Sequence, residues 1–380
     1  MISSSAFSDT KRHFQILDAL RGVAALVVVQ FHVLEVFSGG DHVKQMINHG
    51  NLAVDFFFML SGYVMAHAYD DRWDTMSVMD FFKRRVVRLH PMIILGMTIG
   101  ALCFYFQESA YFPRIADTPL WQLILIMLVG YTLMPVPSFM DIRGWSEMHP
   151  LNGPAWSLFY EYIANVLHAL VLRQLSKRAL SIVVFLSAVA LVHMAVTSPQ
   201  GDIVGGWSLS PEHLRIGVTR LMYPYTAGML LRRILRPGKG KNTFLLTSLL
   251  LIGILSVPRI GGYDHLWANG LYDSLSVILV FPLIMHLGAS GEVKSKWASK
   301  VCTFLGDISY PIYIIHFPFV YIFYAWVINN DIPLQQGIYV GIGILIGSVM
   351  LSYAALKLYD EPVRKWLAKR YLKKSLKKKV

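Results

Sequence analysis

The chain has 380 residues, 55% of them hydrophobic, 13% aromatic and only 15% charged, with a formal net charge of +12. Soluble domains carry about 25% charged residues, so this composition argues against a soluble enzyme, a disordered protein and a nucleic-acid binder. The charge is concentrated: from Arg364 onward there are nine Lys or Arg and no acid, a tail suited to anchoring on anionic headgroups.

A bilayer span needs roughly 20 mostly apolar residues. Eleven stretches qualify, near 14–37, 51–69, 85–106, 119–135, 153–172, 179–197, 212–232, 242–258, 266–288, 303–328 and 334–357. Only helices and closed barrels satisfy backbone polar groups in lipid. Barrel strands alternate with period two and these runs do not, so the fold class expected is an all-α polytopic membrane protein. The first run contains Asp18 and Arg21 and has no clear cleavage site, so it reads as retained. Three regions are expected: a cytoplasmic tail over 1–13, a membrane domain over 14–360 and a basic cytoplasmic tail over 361–380.

Positive charges mark the cytoplasmic loops. They fall at Lys11 and Arg12, at Lys83 to Arg88, at Arg173 to Arg178, at Arg232 to Lys241, at Lys294 to Lys300 and in the tail. Both termini inside requires an even number of crossings. The proline-flanked stretch 119–135 is the short one. The expectation is about ten transmembrane helices plus this one re-entrant or interfacial segment.

Ionisable groups inside a membrane are costly and mark function by default. The first span holds four: Asp18, Arg21, His32 and Glu35. Arg21 and His32 are eleven residues apart, which places them on one helix face about 16 Å apart along the axis. Asp55 opens the second span at a depth similar to His32 and could orient its imidazole. Arg85 and Arg88 lie one turn apart, and paired Arg forks suit phosphate. The fifth span begins with Trp156 and Ser157 and buries Glu161. The tenth carries Tyr310, Pro311, His316 and Pro318, whose prolines should kink it. Asp273, Arg215 and Arg220 are further charges to which spacing assigns no role. Cys103 and Cys302 lack metal spacing, and no metal or nucleotide-cofactor motif is present.

These residues together resemble the acyltransferase-3 family, the integral-membrane acyltransferases of bacterial envelope carbohydrates. Four features carry the likeness, in order from Phe14 to Pro362. They are Arg21 with His32, the run Val54 to Tyr63, Arg85-Val86-Val87-Arg88, and Trp156-Ser157-Leu158 with Glu161 followed later by Ile308 to His316. Many members carry two adjacent acids after Trp-Ser-Leu, whereas Glu161 here is followed by Tyr162. The resemblance implies the stand-alone type, in the bacterial inner membrane. It implies transfer of an acyl group, acetyl by default, from cytoplasmic acyl-CoA as co-substrate to a hydroxyl of a carbohydrate or glycolipid acceptor. No bound cofactor is expected. His32, Glu161 and Asp55 would be catalytic, and Arg21, Arg85 and Arg88 would hold the donor. Asp18, Glu35, Trp156, Ser157, Tyr310 and His316 would line the substrate path. The rival reading is a proton-coupled exporter of a glycan or lipid. It uses the same buried charges, but no internal repeat supports it.

Overall fold

The computed structural model describes residues 13–238, 240 and 243–372. Lys11, Arg12, Lys239, Lys241 and the last five lysines of the basic tail lie outside the described residues. The described residues are helical, with three isolated β-bridges and no strand. In chain order the helices are α1 Gln15–Glu35, α2 Ala53–Tyr69, α3 Val78–Cys103, α4 Leu120–Tyr131, α5 Ala155–Leu170, α6 Lys177–Val196 and α7 Pro211–Ile234. Then come α8 Thr243–Ser256, α9 Leu266–Leu275, α10 Phe281–Ser290, α11 Lys296–Asn329, α12 Leu334–Ala355 and α13 Glu361–Tyr371. A π-helical turn over Ser276–Val280 joins α9 to α10, and another over Leu356–Asp360 joins α12 to α13.

Serine sets four of the starts. Ser77, Ser176, Ser210 and Ser295 each accept a hydrogen bond from the backbone N–H three residues on, at the heads of α3, α6, α7 and α11. This satisfies a donor that has no partner within the helix.

Among the described residues, seven continuous helical stretches are long and apolar enough to cross a membrane. They contain α1, α2, α3, α6, α9 with α10, α11, and α12 with α13. The other four expected spans form helices of a different kind. α4, α5 and α8 have 12, 16 and 14 residues. α7 has 24 but carries Glu212, Arg215, Arg220, Arg232 and Arg233. At 1.5 Å per residue α4 rises only about 18 Å, well short of the ~30 Å hydrocarbon core.

Two tight helix pairs build the interior. α1 lies against α11, where a Cβ on Gly22 would stand 2.3 Å from the Leu305 carbonyl oxygen. α2 lies against α7, where a Cβ on Gly62 would stand 1.9 Å from the Tyr225 carbonyl oxygen. Helices in lipid gain little from apolar burial between them, so close backbone approach at small residues matters more. α11 runs unbroken through Pro311 and Pro318. Pro318 lacks the N–H that would cap the Ile314 carbonyl, and Asn152 Nδ2 donates to that carbonyl instead at 2.7 Å. The outer helices expose apolar side chains, including Phe185, Leu186, Tyr339, Ile346 and Met350, as lipid contact requires.

The connecting loops sort into two groups at opposite ends of α1. At the Glu35 end, His42 pairs with Asp202 (2.7 Å), Arg259 with the same Asp202 (3.2 Å), and Met148 N–H donates to the Trp207 carbonyl (2.7 Å). At the Arg21 end, Arg233 pairs with Asp70 (2.7 Å) and donates to the Leu175 carbonyl (3.0 Å). There too Gln15 donates to Ser299 (2.8 Å). The tail begins as α13, which packs its Ala368 and Leu372 on Val87 of α3.

Gly22→Val should cost about 1–3 kcal/mol of stability through overpacking and lower the melting temperature of the purified protein. Gly253, with nothing within 4 Å of an added Cβ, supplies the control: Gly253→Ala should melt with wild type. Equal melting of G22V and wild type would contradict the α1–α11 packing.

Candidate active site

The four charges of α1 all face α11. At one end the His32 imidazole donates from Nδ1 to Glu35 Oε2 at 3.1 Å. The carboxylate accepts only, so the proton sits on Nδ1 and a lone pair on Nε2. Tyr324 of α11 shares its hydroxyl proton between the His32 carbonyl oxygen (2.7 Å) and Glu35 (2.9 Å). The His32 ring stacks on His316 of α11, with centroids 5.6 Å apart and planes 24° apart, and meets Phe317 edge-on at 4.7 Å. His316 donates from Nδ1 to the Ile312 carbonyl at 2.8 Å. Its Nε2 is buried with no hydrogen-bond partner among the described residues. Two imidazoles thus stand together, each with its tautomer fixed by the bond its Nδ1 makes.

At the other end of the same seam, Arg21 donates to Ser309 of α11 at 2.7 Å and pairs with Asp18 at 3.5 Å. Arg88 of α3 lies in the field of Arg21, Arg85 and Arg364 and makes no hydrogen bond or ion pair among the described residues. This is a cationic cluster with one unengaged guanidinium, and such clusters attract phosphate.

The expectation that Asp55 or Glu161 orients His32 is corrected. Asp55 is fully buried and held by Arg220 of α7 through a 2.6 Å ion pair with a second contact at 3.2 Å. Arg220 also donates to the Asn51 carbonyl at 2.8 Å. Glu161 is held by Arg85 at 2.7 Å and by the Ser61 hydroxyl at 3.2 Å. Each acid meets a full positive charge before it could meet an imidazole, because an unpaired buried carboxylate is far more costly than a paired one. Glu35, expected to line the substrate path, is the acid that touches His32. Arg85 is engaged on one side by Glu161, which leaves Arg88 as the open member of that pair.

Between the two ends, α11 lines the interior with hydroxyls. Tyr310 donates to the Leu89 carbonyl (2.7 Å), and Tyr313 meets Ser157 (2.7 Å). Trp156 lies beside Arg220, whose guanidinium carbon is 5.4 Å from the ring centroid. It faces the Asp55 pair rather than His32. Sequence reasoning missed Tyr324 and the partners of the stray charges. Arg220 pairs with Asp55, and Asp273 pairs with His49 at 2.7 Å. Charge complementarity was the available signal, since each buried acid needs a cation or imidazole.

Loops close over the Glu35 end. The hydrogen bond that His42 donates to the Asp202 carboxylate holds the His42 pKa above its ordinary value. Burial pushes the Glu147 carboxyl up to about 7, against the opposing pull of Arg143 and Tyr321. The Tyr321 hydroxyl donates to Glu147 at 2.7 Å, and Tyr321 packs edge-on against Phe317, 4.5 Å away. The ring beside His32 is thereby braced from the loop side.

An apolar helical chain with a paired-imidazole centre and a cationic cluster at opposite ends of one helix pair fits a membrane-embedded group transferase. The comparisons agree. The acyltransferase domain model of the acyltransferase-3 family matches residues 14–357, and the chain belongs to that family. It is a multi-pass membrane acyltransferase that moves groups other than aminoacyl groups. The acyltransferase MdmB of Streptomyces mycarofaciens is 24% identical over 317 residues, covering 79% of this chain and 77% of that protein. A Staphylococcus aureus (strain COL) protein named for O-acetyl transfer is 21% identical over 374 residues, covering 93% of this chain. The chain spans 58% of the length of that relative. Protein 2 of the picA locus of Rhizobium radiobacter is 33% identical over 188 residues, 47% of this chain and 93% of that protein. No solved structure matches significantly.

If Asp55 and Arg220 serve mainly to satisfy each other, Arg220→Met should destabilise by about 3–5 kcal/mol by stranding a buried charge. Adding Asp55→Leu should restore most of the loss. Melting curves of the single and double variants check this. A double variant no better than the single would mean that Asp55 acts through another partner.

Proposed function

We propose that the protein moves an acyl group, acetyl by default, from acyl-CoA on the cytoplasmic side to a hydroxyl of an envelope or exported carbohydrate. The observation that supports this most is the polarised α1–α11 seam. Cations gather at the Arg21 end, and an acid-oriented imidazole stands at the other, about 16 Å away along the helix. Ten crossings would place the Arg21 end inside and the His32 end outside. α4 would dip in from the outer side and return, and both termini would be cytoplasmic in the inner membrane.

On this reading Arg88 and Arg21, with the free edge of Arg85, take the donor phosphates. The acyl-bearing arm runs along α11 past Tyr310, Tyr313 and Ser157 toward His32. The His32 Nε2 lone pair takes the proton of the acceptor hydroxyl as its oxygen bonds the thioester carbonyl carbon. The carbon–sulfur bond then breaks, and the leaving thiolate takes the proton back from Nε2. Glu35 steadies the transient imidazolium through Nδ1–H, and Tyr324 fixes Glu35. The His316 Nε2 lone pair offers a second acceptor to a substrate N–H or O–H. A donor confined to the cytoplasm can in this way serve an acceptor outside.

The test is mass spectrometry of envelope glycans from a deletion strain complemented with wild type or His32→Ala. An acyl-sized mass increment should appear with wild type only. In the purified protein, loss of a general base should slow transfer by about 10²–10⁴. The same increment with both proteins would remove His32 from the chemistry. No increment with either, but glycan retained inside the deleted cell, would instead favour an exporter.

A further inference from the structure

At the Arg21 end, the ends of α2, α6 and α7 line an open cavity of about 400 Å³, walled by Ala66, His67, Asp70, Asp71, Lys177, Arg232 and Arg233. Cavities of about 300–1,000 Å³ hold small ligands. The wall is charged, and its charges are unequally committed. Arg233 and Asp70 neutralise each other through two hydrogen bonds of 2.7 and 3.1 Å, and Arg233 spends further protons on the Leu175 and Arg173 carbonyls. Arg232 uses only Nε, which donates to His67 Nδ1 at 3.1 Å. Its two terminal nitrogens make no hydrogen bond among the described residues, and neither does Lys177 Nζ.

Lys177 is also the first residue of the 20-residue α6. The first turn of a helix favours acids, because the dipole is positive there. Here it holds Lys177 and Arg178 and no acid. Lys177 at a positive helix end, beside an uncommitted guanidinium on the same wall, forms an electrostatic arrangement that an anion completes.

We propose that this cavity is a phosphate-binding site, separate from the Arg21–Arg88 cluster. Phe14, the residue immediately before α1, packs edge-on against His67 at 4.8 Å. Asp18 and Arg21 follow within two turns, so the cavity opens beside the seam. Two phosphate sources can reach it. One is the phosphorylated nucleotide end of a soluble donor, which rests on the acyl-CoA reading above. The other is the headgroup of an anionic lipid of the adjoining leaflet, which does not.

Binding without turnover tests the proposal on the full chain in nanodiscs. The soluble probe is adenosine 3′,5′-bisphosphate, titrated calorimetrically in discs free of anionic lipid. The lipid probe is phosphatidylglycerol, followed by native mass spectrometry. One probe or the other should bind saturably. Lys177→Gln should weaken it several-fold, and Lys177→Gln with Arg232→Gln should weaken it at least tenfold. The Lys177 side chain makes no hydrogen bond or ion pair among the described residues, so its loss should leave the fold intact. Arg178→Gln, outside the lining, should change little. Bisphosphate binding assigns the donor as the source, and lipid binding alone assigns the headgroup. Neither probe binding would overturn the site. So would binding indifferent to Lys177 and Arg232, including bisphosphate binding that only Arg88→Gln removes. Failure of the transfer reading itself appears in the His32 glycan experiment, which this binding does not touch.

Discussion

The close packing of α1 on α11 is the constraint from which the rest follows. A hydrogen atom in place of a side chain at Gly22 lets the two backbones approach at Leu305. That approach brings Arg21 to Ser309, His32 to His316, and Glu35 to Tyr324 in register. Any larger residue at Gly22 would widen the seam where its polar contacts begin. The hydrogen bonds of α11 to α1 are short and direct, so they hold geometry as well as contribute stability.

Around this seam the buried charges divide into two kinds. Asp55 with Arg220, Arg85 with Glu161, and His49 with Asp273 close on each other at 2.6 to 2.7 Å. Such pairs fix how helices meet, because each partner is expensive to leave alone. Other groups are left open among the described residues: His316 Nε2, Arg88, Lys177 and the outer nitrogens of Arg232. The proposed chemistry and the proposed phosphate site both lie on this second set. Bracing comes from the first.

Much of this was legible in the sequence. The helical class followed from long apolar runs, and the single face of α1 from the spacing of Arg21 and His32. Family membership followed from the order of short motifs. What failed was partner assignment. Asp55 and Glu161 were read against His32 on depth alone, but depth does not fix azimuth, and Arg220 and Arg85 approach from α7 and α3. Glu35 lay three residues from His32 on the same helix, a spacing that puts side chains in reach, yet it was read as lining. Crossing number was harder for a physical reason. α5 and α8 are short, and α7 carries five charges, of which Arg220 faces the buried Asp55, so hydropathy passes over it. The prolines of α11 suggested a kink, whereas Asn152 supplies the missing donor from another segment, which no local reading can see.

The central claim is that one helix pair links a donor site at one membrane face to an imidazole at the other. The most direct test reconstitutes the protein in liposomes with uniform orientation and gives radiolabelled acyl-CoA to one side and the sugar acceptor to the other. Label should pass to the acceptor when acyl-CoA is on the Arg21 side and the acceptor on the His32 side, and not in the reverse arrangement. Transfer only when both substrates share one side would contradict the through-membrane seam.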